Sequence, residues 1–429
     1  MPQSVPVTAT DALGAATILK VRLRLLPYIF LCYSVAYLDR VNVGFASLEM
    51  NRDIGLSDAA YAFGAGLFFW GYAILEVPSN LVLARVGARV WIARIMIGWG
   101  LVSSAMMFVS GPWSFAAFRL ALGVAEAGFF PGMILYLTYW FPAAERARAV
   151  AFFMTATALT GVVGGPLSGV LMQLEGVLGL RGWQWLFLLE GIPAIILGVV
   201  TLYYMTDRPE QARWLAPEER EWLCARLADE RSAHPADHSF AAALRSPMLW
   251  MFCAIYFCNN VGFYGLTFWL PKIVQNFSGL GTLGTTMLSA LPYTCAVVVM
   301  VLVARHSDLT RERRLHVAAV SATGSLGLFL ASRATTPTES LLAICLTAAG
   351  IWSVMAPFWA LVTATLSGTA AAGGIAFINA LGNLGGFFGP SIIGLVHQRT
   401  GSFQSALAVL AIAPLTLALL VLLVPARPR

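Results

Sequence analysis

The stretch SVAYLDRVNVGF, residues 34–45, sets Asp39 beside Arg40 in a run that is otherwise apolar. A second stretch, FRLALGVAEAGFF at 118–130, spaces Arg119 and Glu126 seven residues apart. Two acids and two guanidinium groups can do two things together. A guanidinium offers a fork of donors that fits a carboxylate, and a carboxyl group in a dry site can take up a proton and so change the charge around it. Glu76 and Glu190 are further acids in apolar surroundings. An ionised side chain in hydrocarbon costs about 2.5–3.5 kcal/mol on insertion scales, so such groups stay where something uses or compensates them. Coupled transport of an anion with protons is the use these types suggest. A static ion network between helices would employ the same residues.

The elements that must position these groups follow from composition. Of the 429 residues, 59% are hydrophobic and 11% charged, which no soluble domain of this size carries. Apolar runs of about 20 residues match a hydrocarbon core about 30 Å thick, and a helix satisfies its own backbone there. The runs and the polar breaks between them predict twelve helices, near 22–47, 60–84, 90–109, 113–140, 147–172, 183–205, 248–276, 284–305, 315–332, 338–365, 371–395 and 403–425. Arg119 and Glu126 then lie two turns, about 10 Å, apart along one face of the fourth helix, open to the same cavity. Asp39 and Arg40 point about 100° apart, so one is expected to meet the fourth helix's charges while the other meets the central cavity. Beyond residue 237 the acids are Asp308, Glu312 and Glu339, all in loops or at a helix end, so proton and anion chemistry is expected in the first half.

Lys and Arg set the orientation. Twenty fall in segments on the side of the N-terminus, Arg427 and Arg429 among them, against five on the opposite side, which predicts that both termini are cytoplasmic. The net charge of +6 is thereby a matter of topology, with no nucleic-acid partner implied. The polar leader MPQSVPVTATDALGAAT lacks the features of a cleaved signal. The spacing of Cys32, Cys224, Cys253, Cys258, Cys295 and Cys345 fits neither a zinc site nor a disulfide framework. Residues 206–246 are polar and charged, with one amphipathic helix expected around 217–231 whose apolar side is Trp214, Trp222, Leu223 and Leu227. The expected organisation is a cytoplasmic tail over 1–21, a six-helix bundle over 22–205, a cytoplasmic linker over 206–246 and a second six-helix bundle over 248–425.

An internal repeat accompanies that division. NLVLARVGARVWIAR after the second helix and VLVARHSDLTRERRLHV after the eighth are basic turns in the same ordinal place of each half. Here the chain resembles the major facilitator superfamily, whose signature is a Gly/Asp/Arg-rich turn between the second and third helices. The first copy departs from it: the usual aspartate has become Ala84 or lies elsewhere, leaving Arg85, Gly87 and Arg89. A narrower resemblance is carried by YLDRVNVGFA, GYAILEVPSNLVLARVGAR, FRLALGVAEAGFFPGMILYLTYWFP, RGWQWLFLLEGIPA and INALGNLGGFFGPSIIG, in order from residue 22 to 425. These are similar to the anion:cation symporter family, whose members carry tartrate and related hydroxy acids, sugar acids, or aromatic acids with protons.

The resemblance implies an all-α polytopic fold of two six-helix bundles around a central cavity. It implies a proton-coupled symporter that imports a small organic anion across the bacterial inner membrane. Asp39 and Glu126 would titrate, Arg40 would hold the substrate carboxylate, and Arg119 would keep the acids in tune. Tyr37, Tyr72, Trp359 and Asn383 match substrate-side positions, although Tyr37 and Trp359 also suit packing. Asn259, Asn260 and Tyr264 of NNVGFYGLTFWL suit either gating or structural bonding, Glu76 and Glu190 read as structural or gate residues, and His306, His316 and His397 as solvated helix ends. A hydroxylated four-carbon dicarboxylate is the first choice of substrate, a sugar acid the second, an aromatic carboxylate the third. An exporter or an uncoupled facilitator is the other class. The expected partners are the anion, protons and membrane lipid, with the chain a monomer. No cofactor, metal or enzymatic activity is expected, since no nucleophile–base set, HExxH motif or phosphate-binding glycine loop is present.

Overall fold

The computed structural model describes residues 9–233, 244–365 and 369–425. Arg427, Arg429, the first eight residues of the tail and residues 234–243 of the linker lie outside the described residues. The first helix, Ala9–Asp53, starts inside the stretch read as a tail; its 45 residues span about 68 Å, far more than a bilayer core. Eleven further helical spans are long and apolar enough to cross a membrane: Asp58–Val86, Ala88–Phe108, Pro112–Trp140, Arg148–Met172, Gly182–Tyr204, Pro247–Ser278, Thr282–Thr310, Arg314–Arg333, Pro337–Thr365, Gly373–Thr400 and Phe403–Leu422. With the first helix, whose apolar stretch is diluted by Asp39, Arg40 and its polar neighbours, they make the twelve of the sequence reading.

The fourth span is interrupted. It consists of Pro112–Glu126 and Phe129–Trp140, separated at Ala127 and Gly128. Gly128 has φ +88°, a left-handed conformation that a residue without Cβ adopts freely, and Ser79 of the second helix lies where a Cβ would go. Glu126 is therefore the last residue of a half-helix. A break of this kind is tolerated at membrane depth where neighbouring helices bury the backbone. The tenth and eleventh spans are only locally disturbed, at Val354 and Leu384, where the backbone keeps helical dihedrals.

The halves meet along three helix pairs, the first against the seventh, the second against the eleventh and the fifth against the eighth. Advancing each number by six within the repeat turns the second–eleventh pair into the eighth–fifth pair, so the interface has the two-fold character that an internal repeat produces. Close approach depends on glycine. A Cβ at Gly66 would lie 2.7 Å from Phe387, one at Gly394 2.5 Å from Ala62, and one at Gly386 would overlap the Phe69 ring.

The linker helix, Pro217–Ala233, packs on the first half. Leu223 and Leu227 are buried, Trp222 covers Gly14, and Trp214 stacks on Trp140 at 5.4 Å with the Arg24 guanidinium over it. Lys20 bonds Glu219 at 2.8 Å and holds its carboxyl below the usual range. The basic turn after the second helix obtains its acid from elsewhere in the chain: Asp207, just past the sixth helix, accepts from the Arg89 amide at 2.8 Å and fills the space beside Gly87.

Candidate functional site

Arg40 occupies the centre of the junction between the halves and is buried. Its Nη2 donates to Oε1 of Glu126, and its Nη1 donates to the Tyr264 hydroxyl of the seventh helix at 3.2 Å. The guanidinium lies over two rings of the second helix, 5.1 Å from Phe68 and 5.2 Å from Tyr72. One side chain thus joins the first, second, fourth and seventh helices.

Arg119 is fully buried and also lies over Phe68, whose ring centroid is 5.1 Å from each of the two guanidinium carbons. It donates from Nη2 to the Ala65 carbonyl at 3.2 Å and lies 5.7 Å from the Phe268 ring. Its Nε and Nη1 have no hydrogen-bond partner among the described residues. Arg119 makes no direct hydrogen bond to the acids of the first and fourth helices among the described residues. The seven-residue spacing puts Arg119 and Glu126 on one half-helix, but Arg119 bonds a backbone carbonyl and Glu126 bonds Arg40.

Asp39 also departs from expectation. It turns into the first bundle, where Trp99 Nε1 donates to Oδ2 at 2.8 Å and Ser103 Oγ to Oδ1 at 2.9 Å. Of the adjacent pair, Arg40 meets the fourth helix's charge, as the 100° divergence requires, while Asp39 faces the third helix instead of a central cavity. Trp99 and Ser103 were not legible as its donors, because nothing in their own stretch marks them out. Asn42 lies a further turn along, with Nδ2 3.5 Å from Asp39 Oδ1. Glu190 is buried in the same bundle and accepts from Ser168 at 3.0 Å.

The remaining candidates are divided between the two halves. Tyr37 and Tyr72 are buried, Tyr37 one turn before Arg40 and without a partner for its hydroxyl among the described residues. Trp359 is half-buried and packs edge-on to Tyr256 at 5.1 Å, in the core of the second half. Asn383 is buried beside the local disturbance at Leu384 in the eleventh span. Asn379, one turn earlier in that span, reaches the other half and donates to Glu76 Oε1 at 2.8 Å. Asn259 contacts the Met355 sulfur at 3.6 Å, and Asn260 Nδ2 has no partner among the described residues.

At the end of the bundle remote from the N-terminus the halves are tied together. Asp58 accepts from Lys272 at 3.1 Å and bonds His397 at 2.7 Å; Gln398 accepts from the Ala59 amide at 2.9 Å, and Thr282 donates to Glu49 at 2.6 Å. His397, expected to be solvated, is half-buried, stacked on Phe403 at 3.9 Å and paired. The spacing along the chain gives no hint of this, since its partner is 339 residues away.

Comparison with known proteins supplies the wider setting. Residues 29–390 match the family model described as Major Facilitator Superfamily. A protein of Agrobacterium vitis named "Putative tartrate transporter" is 51% identical over 389 residues, 90% of each chain. A "Quinolone resistance transporter" of Acinetobacter baumannii is 39% identical over 92% of each. Among solved structures, the xylose transporter XylE from E. coli in a partially occluded inward open conformation superposes with a TM-score of 0.77 at 14% identity, covering 95% of this chain and 98% of that one, a likeness of fold.

Proposed function

The chain belongs to the major facilitator superfamily, and from that premise we propose that it is a proton-coupled symporter importing a hydroxylated dicarboxylate such as tartrate by alternating access. The observation that carries this reading is the Arg40–Glu126 pair. The guanidinium best placed to hold a substrate carboxylate already holds one of the protein's own. Glu126 and an incoming anion compete for one fork, and a proton on Glu126 removes the competitor, so anion binding and proton uptake favour each other.

Formal charge gives the same result. Arg40 and Arg119 are balanced by Asp39 and Glu126 when both acids are ionised. Each proton taken up leaves one positive charge uncompensated, and a bound anion restores the balance in a site where an unbalanced charge is costly. In this scheme Glu126 and Asp39 titrate, Arg119 is the fixed cation over Phe68, and Tyr37, Tyr72, Asn383 and Trp359 form the walls. The name of the 51% identical relative supports a dicarboxylate ahead of a sugar acid or an aromatic carboxylate. The excess of Lys and Arg on the side of the N-terminus supports an inner-membrane carrier with both termini cytoplasmic and the Asp58 end facing outward.

Uptake into proteoliposomes tests the proposal. An imposed inward proton gradient should drive tartrate above its equilibrium level, and a protonophore should abolish the accumulation. Uptake indifferent to pH would leave a facilitator. The 39% identical relative named for quinolone resistance supports a second reading, an exporter, which predicts proton-driven uptake into everted vesicles instead.

A further inference from the structure

We propose that Glu76 and Asn379 form a subsite that reads substrate hydroxyl groups, so that the carrier selects a hydroxylated dicarboxylate over the same carbon skeleton without hydroxyls. The inference rests on the dicarboxylate reading above and adds a specificity determinant to it. Glu76 is 2% exposed. Its Oε1 accepts from Asn379 of the opposite half, while its buried Oε2 has no partner among the described residues. It lies one turn, about 6 Å, beyond Tyr72 on the same face of the second helix, and Tyr72 carries the Arg40 guanidinium on its ring. The second helix therefore presents an anion-holding end and an unsatisfied polar end, separated by roughly the length of a short-chain diacid.

The local backbone fixes that end in place. Pro78 has no N–H for the Ile74 carbonyl, and the Asn80 side chain donates to the Glu76 carbonyl at 2.9 Å, pinning the turn that carries the acid. Arg40 is the charged group near enough to act on Glu76, and Asn379 is the group that faces it from the eleventh span. A second negative group beside a site for anions is a poor ligand for a carboxylate. A carboxyl group nevertheless pairs with an alcohol in either of its forms, accepting when ionised and donating when protonated. A methylene can do neither. A binding site with a buried polar atom waiting for a hydroxyl discriminates strongly against the analogue that lacks it, because the atom is then left dry and unpaired.

Competition for uptake by the full-length carrier in proteoliposomes tests this with tartrate, malate and succinate, which carry two, one and no hydroxyl groups on one skeleton. The wild-type protein should prefer them in that order, with a tartrate-to-succinate ratio of about tenfold or more. Glu76→Met, which keeps the length and removes the polar atoms, should reduce that ratio at least about tenfold by weakening tartrate selectively, whereas Glu76→Gln, still able to pair with an alcohol, should keep the order. A ratio unchanged in Glu76→Met, or equal wild-type affinities for the three acids, would overturn the subsite and reduce the Glu76–Asn379 contact to a structural tie. Equal wild-type affinities overturn the subsite even if the Met variant fails to fold, and the Gln variant then carries the positive arm. Transport of none of the three would instead sink the dicarboxylate reading, and the subsite with it.

Discussion

Replacing Asp58 by Asn should open the end of the carrier remote from its N-terminus. Asp58 is the hub of that seam, bonded to Lys272 at 3.1 Å and to His397 at 2.7 Å, with side-chain exposures of 25%, 17% and 20% for the three. A hydrogen bond to a charged partner contributes about 1.5–3 kcal/mol when dry, and an exposed ion pair under about 1 kcal/mol. For two such contacts at intermediate burial, with Asn retaining part of the bonding, a net loss of about 1–2 kcal/mol is expected, which shifts the balance of closed to open forms about 5–30-fold. The assay is the rate at which a membrane-impermeant maleimide labels a cysteine placed at Ala62, buried beneath Gly394, in a background without the native cysteines. Lys272→Met should act in the same direction, and the double variant with Asp58→Asn should fall short of the sum of the singles. Labelling that stays at the parental rate in all three variants would refute the claim that these contacts hold the seam.

Arg40→Lys should weaken substrate binding about 10–100-fold, because a point charge replaces a fork that bonds Glu126 and Tyr264 together; near-normal affinity by tryptophan quenching or uptake would move the carboxylate ligand elsewhere, most directly to Arg119. Glu126→Gln should abolish accumulation driven by a proton gradient while sparing counterflow exchange, and loss of exchange with proton coupling intact would reverse the assigned roles. Gly128→Ala should cost about 2–4 kcal/mol, since it forces a side chain into a left-handed conformation and against Ser79; a melting temperature equal to that of the parent would show that the break in the fourth span relaxes freely.

Much of the architecture could be read before any coordinates, because hydrocarbon imposes so few solutions. Apolar runs of sufficient length had to be helices, and the rarity of charge within them made Asp39, Arg40, Arg119 and Glu126 conspicuous. What could not be read was direction across space. Adjacency shows that Asp39 and Arg40 diverge, but not that Trp99 and Ser103 wait for Asp39 in the third helix. Periodicity put Arg119 and Glu126 on one face, but not which groups of the first and second helices would take them, Arg40 for Glu126 and the Ala65 carbonyl for Arg119. Asn379 and Asn383 are one turn apart in the same span, and only the packing of the second helix against the eleventh selects Asn379 as the partner of Glu76. The pairing of Asp58 with Lys272 and His397 likewise joins positions that share no local pattern.

The hydrogen-only positions along the seam between the halves make it a natural place for a wedge. Gly66, Gly386 and Gly394 leave no room for a larger residue while the two bundles touch, so one added isobutyl group, as in Gly386→Leu, should prop the halves apart without altering any ionisable group. Such jammed carriers would give antibodies and crystallisation trials a homogeneous target with the Asp58 seam held open.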